Sequence, residues 1–315
     1  MAISYISTKN MSREKWLLKR KEGIGGSDAS VILGLSDFKS IFELWAEKSG
    51  YQLPEKESES LRIGTDLEEY VAKRFEEVSG KKVRREDKMF FNSKYPHSFA
   101  DIDRKIVGEN AGLECKTTSA YNRSGFEEGE IPAYYYVQCQ HYMAIKEFER
   151  MYLAVLVLGV GFYWFVIERN DAEIEALMDA ENKFWLNNVL ANKKPDPDGS
   201  ESCGKAISWL TRYQKDGEAA SIIDLKEKLE RRETLKSMID TLEKEKNQIE
   251  QEVKVRLETA VVGEVDGYKV TYKKQSKTTV DSKRLREEMP EIYLKYSQET
   301  QNRVLRINKQ KEKIA

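Results

Sequence analysis

The sequence predicts an α/β core with a mixed β-sheet flanked by helices, followed by a long helical arm and a small β-hairpin with a tail. Three observations carry that prediction. Apolar residues recur at helical spacing up to about Gly80, and beyond it they alternate at spacing two. Two apolar strand-like runs, 152–158 and 162–168, follow a helical stretch. Residues 222–257 carry a narrow apolar stripe among many charges.

The elements follow in order. Residues 12–21 (SREKWLLKRK) read as a basic amphipathic helix with Ser12 as N-cap. GIGGSDAS, 23–30, leads into a helix start at Ser27 or Asp28. Ser40 and Glu43 form a capping box for IFELWAEKSG, stopped by Gly50. Thr65 and Glu68 form a second box, opening DLEEYVAKRFEEVSG, stopped by Gly80. Strands are predicted near 88–92, 101–107 and 112–117, with GENA as a hairpin turn between the last two. A loop with Gly125, Gly129 and Pro132 precedes a helix over 133–146. After the strands YLAVLVL and FYWFVIE, Asn170 and Glu173 open a helix to about 191.

KPDPDGSES, 194–202, reads as a linker by composition. It divides a core, 1–193, from a C-terminal part, 203–315. That part begins with a coiled-coil-like arm over about 222–258, roughly 50 Å at 1.5 Å per residue. A hairpin turning at Asp266-Gly267 and a polar tail close the chain.

Composition narrows the function. The chain has 315 residues, 40% apolar and 34% charged, with a net charge of −1. Any nucleic-acid footprint must therefore be local. Three scattered cysteines without a CxxC support neither a zinc knuckle nor a disulfide framework. No signal-peptide core or membrane-length apolar run is present, so a cytoplasmic protein without a membrane partner is expected.

The chemistry concentrates in ADIDRKIVGENAGLECKTTS, 100–119. A turn centred near 109–110 pairs residues that sum to about 219. Asp103 then lies across from Lys116 and within reach of Glu114, and Asp101 lies across from Thr118. Two close carboxylates repel unless a cation sits between them. Hard oxygen donors with room for water suit Mg²⁺ or Mn²⁺. The backbone carbonyl of Cys115 adds a donor, and Lys116 can position a water: this is chemistry for hydrolysing a phosphodiester. The plainer reading is a surface hairpin with a cross-strand Asp–Lys pair.

Other residues fit around that hairpin. Glycines before a helix start offer N–H groups to an anion, and Arg20, one turn earlier, can clamp a phosphate beside Ser27. Asp28 argues mildly against an anion there. Glu68 is explained by its capping box, yet can also face a metal. Gln138 and Tyr142 share one helix face, an amide and a phenol in an otherwise apolar helix.

W-x3-R, GIGGSDAS, G-x3-E, A-x2-D, L-E-x-K and Q-x-Q-x-Y occur in order over about residues 10–190. This series resembles the YqaJ viral recombinase family, a relative of lambda exonuclease among the PD-(D/E)xK nucleases. The tail YKVTYKKQSKTTVDSKRL is also similar to YqaJ-type proteins. The resemblance implies a restriction-endonuclease-like core and a phage-type, Mg²⁺-dependent 5′→3′ exonuclease, with one or two ions. Such an enzyme degrades double-stranded DNA from its ends and leaves 3′ single-stranded tails for a RecT-like strand-annealing partner. It also implies a homo-oligomer, as in the ring-shaped trimer of the best-known relative, and a phage or prophage origin in a bacterial cytoplasm.

Carried over, Asp103, Glu114 and Glu68 become metal ligands, and Lys116 acts on the attacking water. Arg20 and Ser27 hold the 5′-phosphate, and Gln138 and Tyr142 complete the site. The register favours Asp103 over Asp101; Gln138 and Gln140 stay open. Arg13, Lys15, Lys19, Arg20 and Lys21 are candidates for a DNA channel. An endonuclease or nickase with the same site, or an assembly protein acting through the arm, are the competing readings.

Overall fold

In the computed structural model, residues 2–54, 58–213, 219–299 and 303–309 are described. The chain divides into two compact units, Met1–Tyr213 and Gln214–Ala315.

The first unit opens with β1 (Ile3–Ser7) and the helices α1 (Arg13–Lys21), α2 (Gly26–Ile32), α3 (Ile41–Lys48) and α4 (Glu59–Ser79). The strands β2 (Val83–Arg85), β3 (Lys88–Asn92), β4 (Phe99–Asp101), β5 (Arg104–Ile106) and β6 (Ala111–Thr118) follow. After α5 (Arg123–Glu127) come α6 (Ala133–Lys146), β7 (Arg150–Val157), β8 (Gly161–Glu168), α7 (Asp171–Phe184) and α8 (Glu201–Leu210). A wider π turn, Trp185–Leu190, extends α7.

A five-stranded sheet in the order β2-β5-β6-β7-β8 forms the centre, and β1-β3-β4 form a second sheet. The central sheet is mixed: β6 and β7 are parallel, and the other pairs are antiparallel. The two faces of β6 and β7 follow from alternation. Leu113, Tyr152 and Ala154 pack with Val71 and Phe75 of α4. Leu153 and Val155 pack with Met143 and other residues of α6 on the opposite face. Glu114 is in register with Leu153, which puts it on the α6 face.

Several expectations need correction. The predicted strand 101–107 is two strands in two sheets: β4 pairs with β3, and β5 pairs with β6. The chain passes between sheets at Ile102-Asp103. The β5–β6 register is Arg104↔Leu113, two residues from the predicted pairing. The Thr65–Glu68 box does not exist. Helix α4 starts at Ser58, whose hydroxyl accepts from the Leu61 N–H at 3.2 Å, and Thr65 lies inside the helix, donating to the Leu61 carbonyl at 3.1 Å. Helix α2 begins at Gly26, ahead of the predicted start.

The stretch 194–202 is not a boundary. Ser200 caps α8, and its Cys203 and Ala206 are buried with Phe42 and Trp45 of α3, so the first unit extends to Tyr213.

The second unit contains α9 (Lys226–Leu257), the hairpin of β9 (Val262–Val265) and β10 (Tyr268–Thr271), α10 (Ser282–Glu288) and α11 (Pro290–Tyr296). Gly267 takes the left-handed φ of +78° that the Asp-Gly turn needs. The tail thus holds two short helices; its end, 310–315, lies outside the described residues.

Candidate active site

The floor of the cleft is β6. Glu114 is 3% exposed, so it is buried against α6 and does not sit on a solvated face as the hairpin alone suggests. Its Oε1 accepts from Gln138 Nε2 at 2.6 Å and lies 2.7 Å from Lys116 Nζ. Its Oε2 is buried without a hydrogen-bond partner. An unsatisfied buried carboxylate oxygen costs about 1–3 kcal/mol or more, which a native fold seldom tolerates without a ligand for it.

Asp103 sits where the chain leaves one sheet for the other. Its Oδ2 accepts the Cys115 N–H at 2.8 Å. In an extended residue N–H and C=O point to the same edge, so the Cys115 carbonyl also faces the gap beside Asp103. Burial, then the charges of Glu114 and Glu68, push the Asp103 carboxyl well above the usual range; Lys116 and the Cys115 N–H oppose this. Burial works against the Lys116 ammonium, yet Glu114 and Asp103 hold its pKa above the ordinary lysine value. The Lys116 ammonium also stands 5.2 Å from the centre of the Tyr135 ring.

Helix α6 brings the amide and the phenol. Gln138 Nε2 also donates to the Tyr142 hydroxyl at 2.9 Å. Gln140 turns away, donating to the Glu168 carbonyl at 2.9 Å and accepting from the Asn170 N–H at 3.1 Å, so geometry puts Gln138 at the carboxylate. His141 holds the helix in place. Its Nδ1 is 2.7 Å from Glu181 Oε1 and its Nε2 is 2.8 Å from the Phe99 carbonyl. Both ring nitrogens face acceptors, and burial works against the imidazolium while Glu181 and the Phe99 carbonyl raise the ring's pKa above the ordinary histidine value.

Arg104 is a residue that sequence reasoning missed. It is buried, and its guanidinium donates to Glu68 at 2.5 Å, to Glu69 at 2.9 Å and to the Asp103 carbonyl at 2.7 Å. Glu68 therefore faces the cleft from mid-helix with one oxygen engaged. The only signal was the D-R dipeptide, which is common. Asp101 accepts from the Trp16 indole at 2.6 Å.

At the other end, Arg20 donates to Ser27 Oγ at 2.9 Å and stacks on the Trp16 ring at 4.7 Å. A Cβ at Gly25 would meet Phe99 at 2.9 Å, and one at Gly26 would meet Tyr142 at 2.6 Å. Asp28 does not face this space. It accepts the Gly25 N–H at 3.0 Å and pairs with buried Lys48 at 2.6 Å. Burial alone would raise its pKa, but Lys48, Lys39 and Arg20 hold it below the carboxylate range.

Together these groups line a cleft of about 600 Å³, with Lys9, Arg13 and Arg85 on its walls beside Asp103, Glu114 and Lys116. Two carboxylates, one of them with a bare buried oxygen, and a carbonyl fit a hard divalent cation. Among the described residues no set of three or more His, Cys, Asp or Glu side chains is gathered as a metal cluster, consistent with Glu68 being held by Arg104.

The family model for the YqaJ-like viral recombinase domain matches residues 15–149. The uncharacterized protein YqaJ of Bacillus subtilis (strain 168) is 41% identical over 298 residues, 92% of each chain. Among solved structures, the alkaline exonuclease LHK-Exo in complex with dAMP gives a TM-score of 0.49 at 19% identity, covering 57% of this chain and 94% of that one. A second structure, of the alkaline exonuclease LHK-Exo from Laribacter hongkongensis, gives 0.48 at 18%, with the same coverage. A phage-related exonuclease from Haemophilus somnus 129PT gives 0.42 at 11%, covering 54% of this chain and 96% of that one.

Proposed function

We propose, from the premise that the chain belongs to the YqaJ-like viral recombinase family, that its cleft hydrolyses phosphodiesters at the ends of double-stranded DNA. The observation that carries this reading is the bare Glu114 Oε2, buried beside Asp103 and Lys116. Asp103, Glu114 and the Cys115 carbonyl would hold Mg²⁺ or Mn²⁺, one ion or two, with Glu68 as a further donor once released from Arg104. When bound, the ion supplies polarisation of the phosphoryl oxygen and acidification of water.

The chain's own groups do the rest. Lys116, kept cationic, orients the attacking water and meets the charge that develops on the phosphoryl oxygens. Gln138 fixes the Glu114 carboxylate and is itself fixed against Tyr142. Arg20, stacked on Trp16 and bonded to Ser27, is placed for a terminal 5′-phosphate. An end held by its 5′-phosphate gives 5′→3′ degradation and leaves a 3′ tail suited to an annealing protein of the RecT kind. A homo-oligomer encircling the duplex would make digestion processive.

The test is digestion of linear and closed-circular duplex DNA with Mg²⁺, with strands labelled at either end, beside Glu114→Gln. Loss of label from 5′ ends only, intact circles and an inactive variant are expected. Nicked or cut circles would replace this reading with an endonuclease. No cleavage of either DNA would refute hydrolysis.

A further inference from the structure

The second unit holds a feature that the cleft does not use. Residues 268–286, YKVTYKKQSKTTVDSKRLR, carry seven Lys or Arg against one Asp. Helix α9 is balanced, with nine basic residues against eight acidic ones, and the whole chain has a net charge of −1. Positive charge is therefore concentrated here, the local footprint of a polyanion site.

The fold leaves most of that charge without an internal partner. Asp281 is committed to capping α10, accepting from the N–H groups of Lys283 and Arg284 at 3.1 and 3.0 Å. Arg284 pairs with Glu288 at 2.7 Å, and Arg286 bonds the Tyr293 hydroxyl. With the described residues, Lys269, Lys273, Lys274, Lys277 and Lys283 form no ion pair. Residues 271–284 are all exposed, and 272–281 run without helix or strand. Both ends are anchored: the Tyr272 N–H donates to the Val261 carbonyl at 3.0 Å, and the Leu285 N–H to the Asp281 carbonyl at 2.8 Å.

Aromatic rings accompany the charge. Tyr268 is 75% exposed and Tyr272 is 51% exposed. By alternation they share one face of β10 and its continuation, and Lys269 and Lys273 take the other. Rings on one face and ammonium groups on the other suit a DNA strand, whose bases stack on aromatics while its phosphates meet cations. A duplex keeps its bases inside its own stack, so exposed rings favour an unpaired strand.

We infer that β10 and the extended segment after it bind single-stranded DNA, the product class that digestion of one strand from a duplex end would leave. The inference rests on the function proposed above only for the source of that strand.

The experiment uses the full chain carrying Glu114→Gln, so that no strand is degraded, with a fluorescent oligo-dT as probe. Replacing Lys273, Lys274 and Lys277 with Gln removes three phosphate contacts. At about 0.7 counterions per contact, the plot of log affinity against log salt flattens by about 2, and affinity at ~0.1 M salt falls roughly a hundredfold. Tyr272→Leu weakens binding roughly tenfold and leaves the slope unchanged. Unchanged affinity and slope in the lysine variant, with its helical circular dichroism intact, would overturn the inference. So would a duplex of equal length whose affinity falls as far in the lysine variant as that of oligo-dT, since duplex held in the cleft does not meet those lysines, or polyglutamate that competes as well as oligo-dT. Cleavage is scored separately on the unsubstituted chain, so an inactive cleft leaves the oligo-dT result standing.

Discussion

Gly26→Ala is the substitution that most directly tests how the glycine-rich turn and the carboxylate site are joined. A Cβ on Gly26 would stand 2.6 Å from Tyr142 Cε1 and 2.8 Å from its Cζ. Carbon atoms pack comfortably at about 3.5 Å or more, so ring and helix must part by about 1 Å. The Tyr142 ring is 5% exposed and cannot swing into solvent. Overpacking of this kind costs about 1–3 kcal/mol, or roughly 2–12 °C in Tm for a unit of this size. The ring's hydroxyl accepts from Gln138, which holds Glu114, so the same displacement reaches the carboxylate. A misplacement of about 1 Å at a reacting group costs about a hundredfold in rate. The matched control is Gly64→Ala, in the interior of α4 with nothing within 4 Å of the added Cβ; helix propensity alone makes it stabilising by about 0.5–1 kcal/mol. Thermal unfolding and initial cleavage rates measured on both variants decide the matter. A Gly26→Ala protein with unchanged Tm and rate would refute the close approach. Equal destabilisation of both variants would mean that the loss reflects glycine in general.

Three further outcomes follow from the same geometry. Mg²⁺ at a hundred times its dissociation constant should stabilise the protein by about 2.7 kcal/mol, and Glu114→Gln should abolish most of that rise; a variant that keeps it would place the ion elsewhere. Glu181 and the Phe99 carbonyl outweigh burial and raise the His141 pKa, so its contribution to stability is whole below about pH 6.5 and lost as pH rises through the folded-state value. Denaturant midpoints across that range should fall for the native chain and stay level for His141→Asn. Lys48→Met leaves the Asp28 carboxylate buried and unpaired, which costs about 3–5 kcal/mol by urea unfolding. Asp28 has a depressed pKa, so the native pair contributes fully above about pH 3.8 and is lost only as pH falls below it. A loss under about 1 kcal/mol would show that water reaches the pair.

Local signals were legible where a residue's neighbours in sequence are also its neighbours in space. Ser12, Ser40 and Asn170 cap their helices as their spacing suggests, and α6 spans the predicted residues. Glu114 and Lys116 share a face because strand parity requires it. The failures have one physical source, which is pairing between distant segments. Strand β1 exists because β3 offers it an edge, and its own residues are mostly exposed. The break at Ile102-Asp103 arises because two sheets compete for one run of extended chain. Thr65 resembles a cap until Ser58, seven residues earlier, is seen to open the helix. Arg104 carries no local pattern at all; its role depends on α4 arriving from 36 residues upstream.

The passage of the chain between sheets at Ile102-Asp103 also orders events in time. The bond from the Cys115 N–H to Asp103 closes 12 residues of chain, whereas the bond from Trp16 to Asp101 closes 85. Loop-closure entropy separates the two by about 1.7 kcal/mol before any packing is counted. By this measure the carboxylates can be brought together by a hairpin-sized fragment, whereas the Trp16 and Arg20 end of the cleft waits for a longer-range closure. Hydrogen exchange under mild denaturant checks this: amide protons near Trp16 are expected to exchange while that of Cys115 is still protected.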